Sequence, residues 1–282
     1  MVAVVTVGLV VRGAWAGPYR AHDNGVAYDD PCFVGWATGI EMHWPSGFTP
    51  GSPFDDTSRA LGPAPGSAND VVSLGDEGWA VLTFDRVIRN NPGADLAVFE
   101  NGFGNIFAEL AFVEVSSDNV HYARFPSVSL NATCGEYAMI DATNIYNLAG
   151  KHVNNYQGPF LGTPFDLADL EDHPLVTSGD VDLDNINYVR IVDIYGDSDG
   201  TTYDEATSLV DPTTGLAYTT NHVIHDPGNA VPDPQIYVST TGFDLDAVGI
   251  LEPIPEPATA GLIVLAAVAL LANRKKWGQS PF

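Results

Sequence analysis

The chain of 282 residues carries 36 acidic against 11 basic side chains, a formal net charge of −25. Such a field repels a phosphate backbone, which excludes nucleic acid as a partner and makes divalent cations the natural counterions. Its 28 Gly and 20 Pro, set among many Val, Ile, Thr, Phe and Tyr, describe short strands joined by frequent turns in one large all-β domain or two small ones.

In chain order, Val2 to Val11 is an apolar run, and Ala14-Trp15-Ala16 supplies the small-x-small pattern of a signal-peptide cleavage site. The expectation is an exported chain with residues 1–16 removed and a mature body over 17–252. The two cysteines, Cys32 and Cys134, exclude a disulfide-dense scaffold and a four-cysteine zinc site. Export allows them to pair, and a bridge would close a long loop worth about 4 kcal/mol in chain entropy. Pro- and Gly-rich stretches over 45–53 and 61–66 set an N-terminal arm apart from a block of dense strand signals.

Strands are expected at Trp79 to Phe84, Asp95 to Glu100, Phe107 to Ser116, Tyr188 to Ile194 and Phe243 to Ile250, each short and rich in β-branched or aromatic residues. The polar turn Ser117-Asp118-Asn119, followed by alternation from His121 to Phe125, predicts a hairpin. One short helix is expected around Phe165 to Leu170, with Thr163 or Asp166 as its cap. Together these elements describe an antiparallel β-sandwich, jelly-roll-like in plan.

Alternation places Asp193 on the same strand face as Val189 and Ile191, where a carboxylate needs a partner. Asp244 and Asp246 share a strand face by the same rule, and neighbouring carboxylates repel unless protonated, paired with a base or bridged by a cation. Glu100 and Asn101 close one strand and Glu109 opens the next. Gathered at one end of a sandwich, Glu100, Asn101, Glu109, Asp193, Asp244 and Asp246 would supply the hard oxygen shell that calcium takes. Asp197-Ser-Asp-Gly200 with Asp204 and Glu205 begins like a calcium loop but lacks the EF-hand spacing, and His222 and His225 are the closest histidine pair. No HExxH, Gly-x-Ser-x-Gly, P-loop or dinucleotide fingerprint is present, so the common local catalytic signatures are missing. Trp36, Trp44, Tyr146, Tyr156 and Tyr203 fall in polar or Gly-rich segments, either as sugar-stacking platforms or as anchors that pin loops to the body.

Past Pro255-Glu256-Pro257, residues Ala258 to Ala272 form an uninterrupted apolar segment, followed by Arg274, Lys275 and Lys276. A helix over 258–272 would be roughly 22 Å long, short of the ~30 Å hydrocarbon core without help from its flanks. The basic cluster would lie on the cytoplasmic side and the body outside.

Pro-Glu-Pro, an apolar span and a basic cluster, in that order over 253–276, resemble the PEP-CTERM sorting tail. The blocks Phe33-Val-Gly-Trp-Ala-Thr-Gly39, Ala60-Leu-Gly-Pro-Ala64, Val72-Ser-Leu-Gly75, Val98-Phe-Glu-Asn101, Asn147-Leu-Ala-Gly-Lys-His152 and Gly242-Phe-Asp-Leu-Asp-Ala-Val-Gly249 likewise resemble bacterial cell-surface proteins of the PEP-CTERM and related secreted classes. The resemblance implies a precursor tethered in the inner membrane of a Gram-negative bacterium until an exosortase-type protease reads Pro255, Glu256 and Pro257. The product would then be a surface or extracellular-matrix protein. The segment from Val113 to Phe125 also resembles discoidin-like and carbohydrate-binding jelly rolls, which hold loop-mounted calcium. These readings lead to a non-catalytic, calcium-stabilised surface protein that binds extracellular polysaccharide. The alternative is a secreted polysaccharide-active enzyme using an acidic pair such as Asp244 and Asp246.

Overall fold

The structure is a computed structural model, described here for residues 17–19, 24–45, 51, 54–65, 67, 70–75, 78–102, 109–131, 141–152, 154–155, 160–194 and 242–253. The chain divides into two units, Met1–Glu252 and Pro253–Phe282, and all the described secondary structure lies in the first. The expected signal segment, Cys134, the acidic loop from Asp197 to Glu205, His222, His225, Tyr156, Tyr203 and the sorting tail, including Pro255, Glu256, Pro257, Arg274, Lys275 and Lys276, lie outside the described residues. Among the described residues, no helix is long and apolar enough to cross a membrane.

The protein is mostly β-strand. In chain order the strands are β1 (Val26–Ala27), β2 (Phe33–His43), β3 (Val72–Ser73), β4 (Trp79–Ile88), β5 (Leu96–Gly102), β6 (Ala111–Ser116) and β7 (Ala123–Arg124). There follow β8 (Val128–Ser129), β9 (Ile145–Tyr146), β10 (Asn154–Asn155), β11 (Leu161–Phe165), β12 (Ile186–Asp193) and β13 (Asp244–Leu251). The only α-helix among the described residues is α1 (Pro174–Thr177), a single turn. Eleven strands form one curled sheet whose main path runs β1-β11-β5-β13-β2-β4-β12-β6-β7, antiparallel throughout apart from the short β10 alongside β5.

The curl turns on β2. Its first part, Phe33 to Trp36, pairs with β13, and from Ala37 onward it pairs with β4, with a register shift between Ala37 and Gly39. A strand that passes from one half-sheet to the other through such an irregularity makes a corner, so the halves close over a common interior. Leu96, Val98, Leu245, Val248 and Ile250 come to that core from one half, and Ala80, Leu82, Val113, Val115, Val189 and Ile191 from the other. Alternation, interrupted in β13 by the register shift between Leu245 and Ala247, puts intervening residues on the other side of the sheet. Ala97, Phe99 and Ala247 pack with Phe33 and Trp36 on the back of the first half, while Phe112 and Val192 pack with Leu110, Ile145, Leu148 and Ile194 behind the second.

All five expected strands are present, with ends moved by a few residues. The hairpin is there too: β7 pairs with β6, Asn119 takes φ 64°, and Asp118 accepts the backbone N–H groups of Val120 and His121 at 2.8 Å each. The expected helix is a 3-10 turn over Leu167–Leu170, capped by Asp166, whose carboxylate accepts from the Ala168 N–H at 2.9 Å. The N-terminal arm needs correcting. It contains β2, the longest strand, at the centre of the sheet; Gly35 and Gly39 dilute its β-propensity, and its pairing partners are remote in sequence.

Candidate functional site

Antiparallel pairing brings the end of β5, the approach to β6, the end of β12 and the start of β13 to one end of the curled sheet. Glu100, Asn101, Glu109, Asp193 and Asp244 are therefore gathered there, all but inaccessible to solvent. Asn101 Nδ2 donates to Asp244 Oδ2 at 3.2 Å. Asp193 Oδ1 accepts the Phe243 N–H at 2.7 Å, while the Asp193 N–H donates to the Gly78 carbonyl at 2.9 Å. Glu100 lies opposite Leu245, one residue from Asp244. Asp246 is fully buried at the register shift between Leu245 and Ala247, so the simple two-residue repeat that paired it with Asp244 is interrupted there.

Asp244 Oδ1 is buried and has no hydrogen-bond partner among the described residues. Burial pushes this carboxyl well above the usual carboxylate range, against a smaller downward pull from a hydrogen bond with Ser73. Among the described residues, no three His, Cys, Asp or Glu side chains are grouped so as to hold a metal ion. What the geometry offers a cation is narrower than six carboxyl and amide ligands: the open Asp244 Oδ1, with the Asn101 amide on the other oxygen of the same carboxylate.

The aromatic residues divide by what their polar tips do. Trp44 Nε1 donates to the Ser73 carbonyl at 2.9 Å, and Tyr146 Oη donates to Asp169 Oδ2 at 2.9 Å while its ring packs against Tyr19. Trp36 stacks on Phe33 with ring centroids 4.4 Å apart and also packs on Phe99. These three anchor segments to the body.

A second set was not singled out by sequence. On the outer face of the second half-sheet, successive rungs carry His43, Trp79, Val192 and Phe112, then Glu41, Val81, Arg190, Glu114 and Arg124, then Gly39, Thr83, Tyr188 and Ser116. His43 stacks on Trp79 with centroids 3.5 Å apart, and the Arg190 guanidinium lies 3.9 Å from the Tyr122 ring centroid and 5.5 Å from that of Trp79. The buried Glu114 carboxylate holds both arginines by their Nε atoms, Arg124 at 2.8 Å and Arg190 through its other oxygen. The signal was present as alternation: Trp79, Val81, Thr83 on one strand and Tyr188, Arg190, Val192 on the other share one parity.

No protein-family model matches the chain, and no curated protein matches it.

Proposed function

We propose that the protein is an exported, non-catalytic cell-surface or extracellular-matrix component. Its β-rich body is stabilised by calcium and binds extracellular polysaccharide, and its tail is sorted by an exosortase-type protease. The single observation that carries the calcium part is Asp244 Oδ1, buried at the sheet end with no hydrogen-bond partner among the described residues, on a carboxylate whose other oxygen accepts from Asn101. A buried carboxylate oxygen with no donor is costly, and a hard divalent cation is the counterion that relieves it in a chain of this charge. Asp244 would bind directly, with Asn101 and Asp193 nearest and water or backbone carbonyls completing the shell. What supports the jelly-roll plan is that β2 serves both half-sheets over one core.

Sorting rests on the order Pro255-Glu256-Pro257, apolar segment, Arg274 to Lys276. In this reading the precursor sits in the inner membrane and the body is delivered to the surface after cleavage. The test of the calcium reading is thermal melting of the purified full chain with excess calcium and with chelator. A ligand at a hundredfold excess over Kd stabilises the folded state by about 2.7 kcal/mol. A melting temperature indifferent to calcium overturns it. Glu256→Ala is expected to leave a longer, membrane-retained form, and a surface-released protein whose intact mass still includes Trp277 overturns the sorting reading.

A further inference from the structure

We infer that the outer face of β2, β4, β12, β6 and β7 is a binding site for an uncharged polysaccharide chain, centred on Arg190 with Trp79 and Tyr188 on either side. The inference rests on the reading of a polysaccharide-binding surface protein and locates its site.

Three observations meet on this face. The first is open hydrogen-bonding capacity on half-buried side chains. Among the described residues, the Trp79 indole N–H, the Tyr188 hydroxyl and the terminal guanidinium nitrogens of Arg190 have no hydrogen-bond partner, Arg190 being held only through Nε. The anchoring aromatics elsewhere do the opposite, since Trp44 and Tyr146 spend their polar tips on the protein itself.

The second is that the side chains are held in place before any ligand arrives. Trp79 is fixed by the stacked His43, whose Nε2 lies 3.1 Å from Glu41 Oε1. Arg190 is clamped between the Glu114 carboxylate and the Tyr122 ring, and the Tyr122 hydroxyl donates to Asn119 Oδ1. Rotamers fixed in advance reduce the ordering entropy that a weakly held glycan must overcome.

The third is charge. Arg190 and Arg124 share their rung with Glu114 and Glu41, so the face is close to neutral within a chain of −25. A polyanion is repelled by the whole protein and a polycation by the central arginines. An uncharged sugar meets neither obstacle. Its hydroxyls accept from the N–H and O–H donors, and its C–H faces lie against the aromatic rings. The Trp79 rung and the Tyr188 rung are four residues apart along β4, about 13 Å, which suits an extended chain of sugar rings rather than a single one.

The experiment is affinity electrophoresis of the full chain through gels containing a β-1,4-glucan, a β-1,3-glucan, an α-mannan or a galactomannan, with alginate as the polyanionic comparison. Retardation by at least one uncharged polymer is expected, weakened about tenfold by Trp79→Phe and by Tyr188→Phe, which remove a donor and keep a ring. Arg190→Lys, which keeps the charge and loses the planar fork, should weaken it as well. Circular dichroism of each variant must match the wild type. Retardation that these variants leave unchanged overturns this site while leaving a polysaccharide-binding protein. No retardation by any polymer, retardation by alginate alone, or sedimentation showing that the face is covered by a second copy also overturns it. The calcium melting experiment is unaffected by any of these results.

Discussion

The carboxylate of Asp193, at the end of β12, accepts the backbone N–H of Phe243, which immediately precedes β13, at 2.7 Å. β12 and β13 are not paired; they belong to opposite halves of the curled sheet. This bond therefore ties the halves together at the acidic end, with the Asp193 N–H bound to Gly78 on the approach to β4.

Asp193→Ala is expected to destabilise by about 1–3 kcal/mol, because a buried N–H loses its acceptor. Asp193→Asn keeps an acceptor oxygen and should cost less in the absence of metal, while reducing the rise in melting temperature that calcium gives the wild type. Melting curves of both variants with calcium and with chelator check this. Equal calcium responses for Asp193→Asn and wild type would remove Asp193 from the cation site.

Glu114 is buried, and its two oxygens serve two arginines on neighbouring strands. Glu114→Gln removes the carboxylate that both guanidinium groups share on a half-buried face, and Arg190 loses the contact that orients it. A loss of about 2 kcal/mol is expected, below the 3–5 kcal/mol of a fully buried pair because both arginines keep some solvent. Urea unfolding at neutral pH measures it.

The alternation of apolar residues made the all-β class and five of the strands legible, and Asp118 and Asp166 announced their turns through their capping chemistry. The acidic end was legible because strand order along the chain fixes which ends of antiparallel neighbours meet. β2 was not, because Gly35 and Gly39 break its pattern and its partners β13 and β4 are distant in sequence. Trp79 and Tyr188 were passed over because they lie within strands, where aromatics are ordinarily core, and Arg190 in the sequence reads only as a base that neutralises a carboxylate. Only pairing across β4 and β12 shows that they share an outward face.

Two glycines of the sequence blocks are held by close approach. Gly150, at φ +83°, has its Cβ position inside the van der Waals shell of the Glu109 carbonyl oxygen, and a Cβ on Gly249 would lie 2.5 Å from the Phe33 ring and 2.9 Å from that of Trp36. Gly249→Ala should cost about 1–3 kcal/mol, since the Phe33–Trp36 stack has to shift. Gly150→Ala should cost more, because backbone obstructs it and the left-handed conformation adds strain. Chemical denaturation ranks the pair, and near-ultraviolet circular dichroism should register the moved Trp36 only in Gly249→Ala.

Asp95 supplies a pH dependence whose sign is fixed by its surroundings. It is fully buried where β5 begins; its Oδ1 accepts the Asn91 N–H at 2.7 Å and its Oδ2 the Leu167 N–H at 2.9 Å. Burial outweighs these bonds and raises its carboxyl from 3.8 to about 6. A carboxyl raised in the folded state holds its proton more tightly than the unfolded chain does. Its contribution to stability is therefore fully present below about pH 4 and is lost as pH rises through about 6. Asp95→Asn cannot titrate and places an amide donor against one of the two backbone N–H groups, so it should be less stable than wild type at every pH by about 1–3 kcal/mol. The gap is expected to be widest near pH 4 and to narrow steadily up to pH 6. Melting temperatures of the two proteins in parallel across that range decide it, and a gap that stays constant or widens with pH would show that Asp95 is ionised throughout.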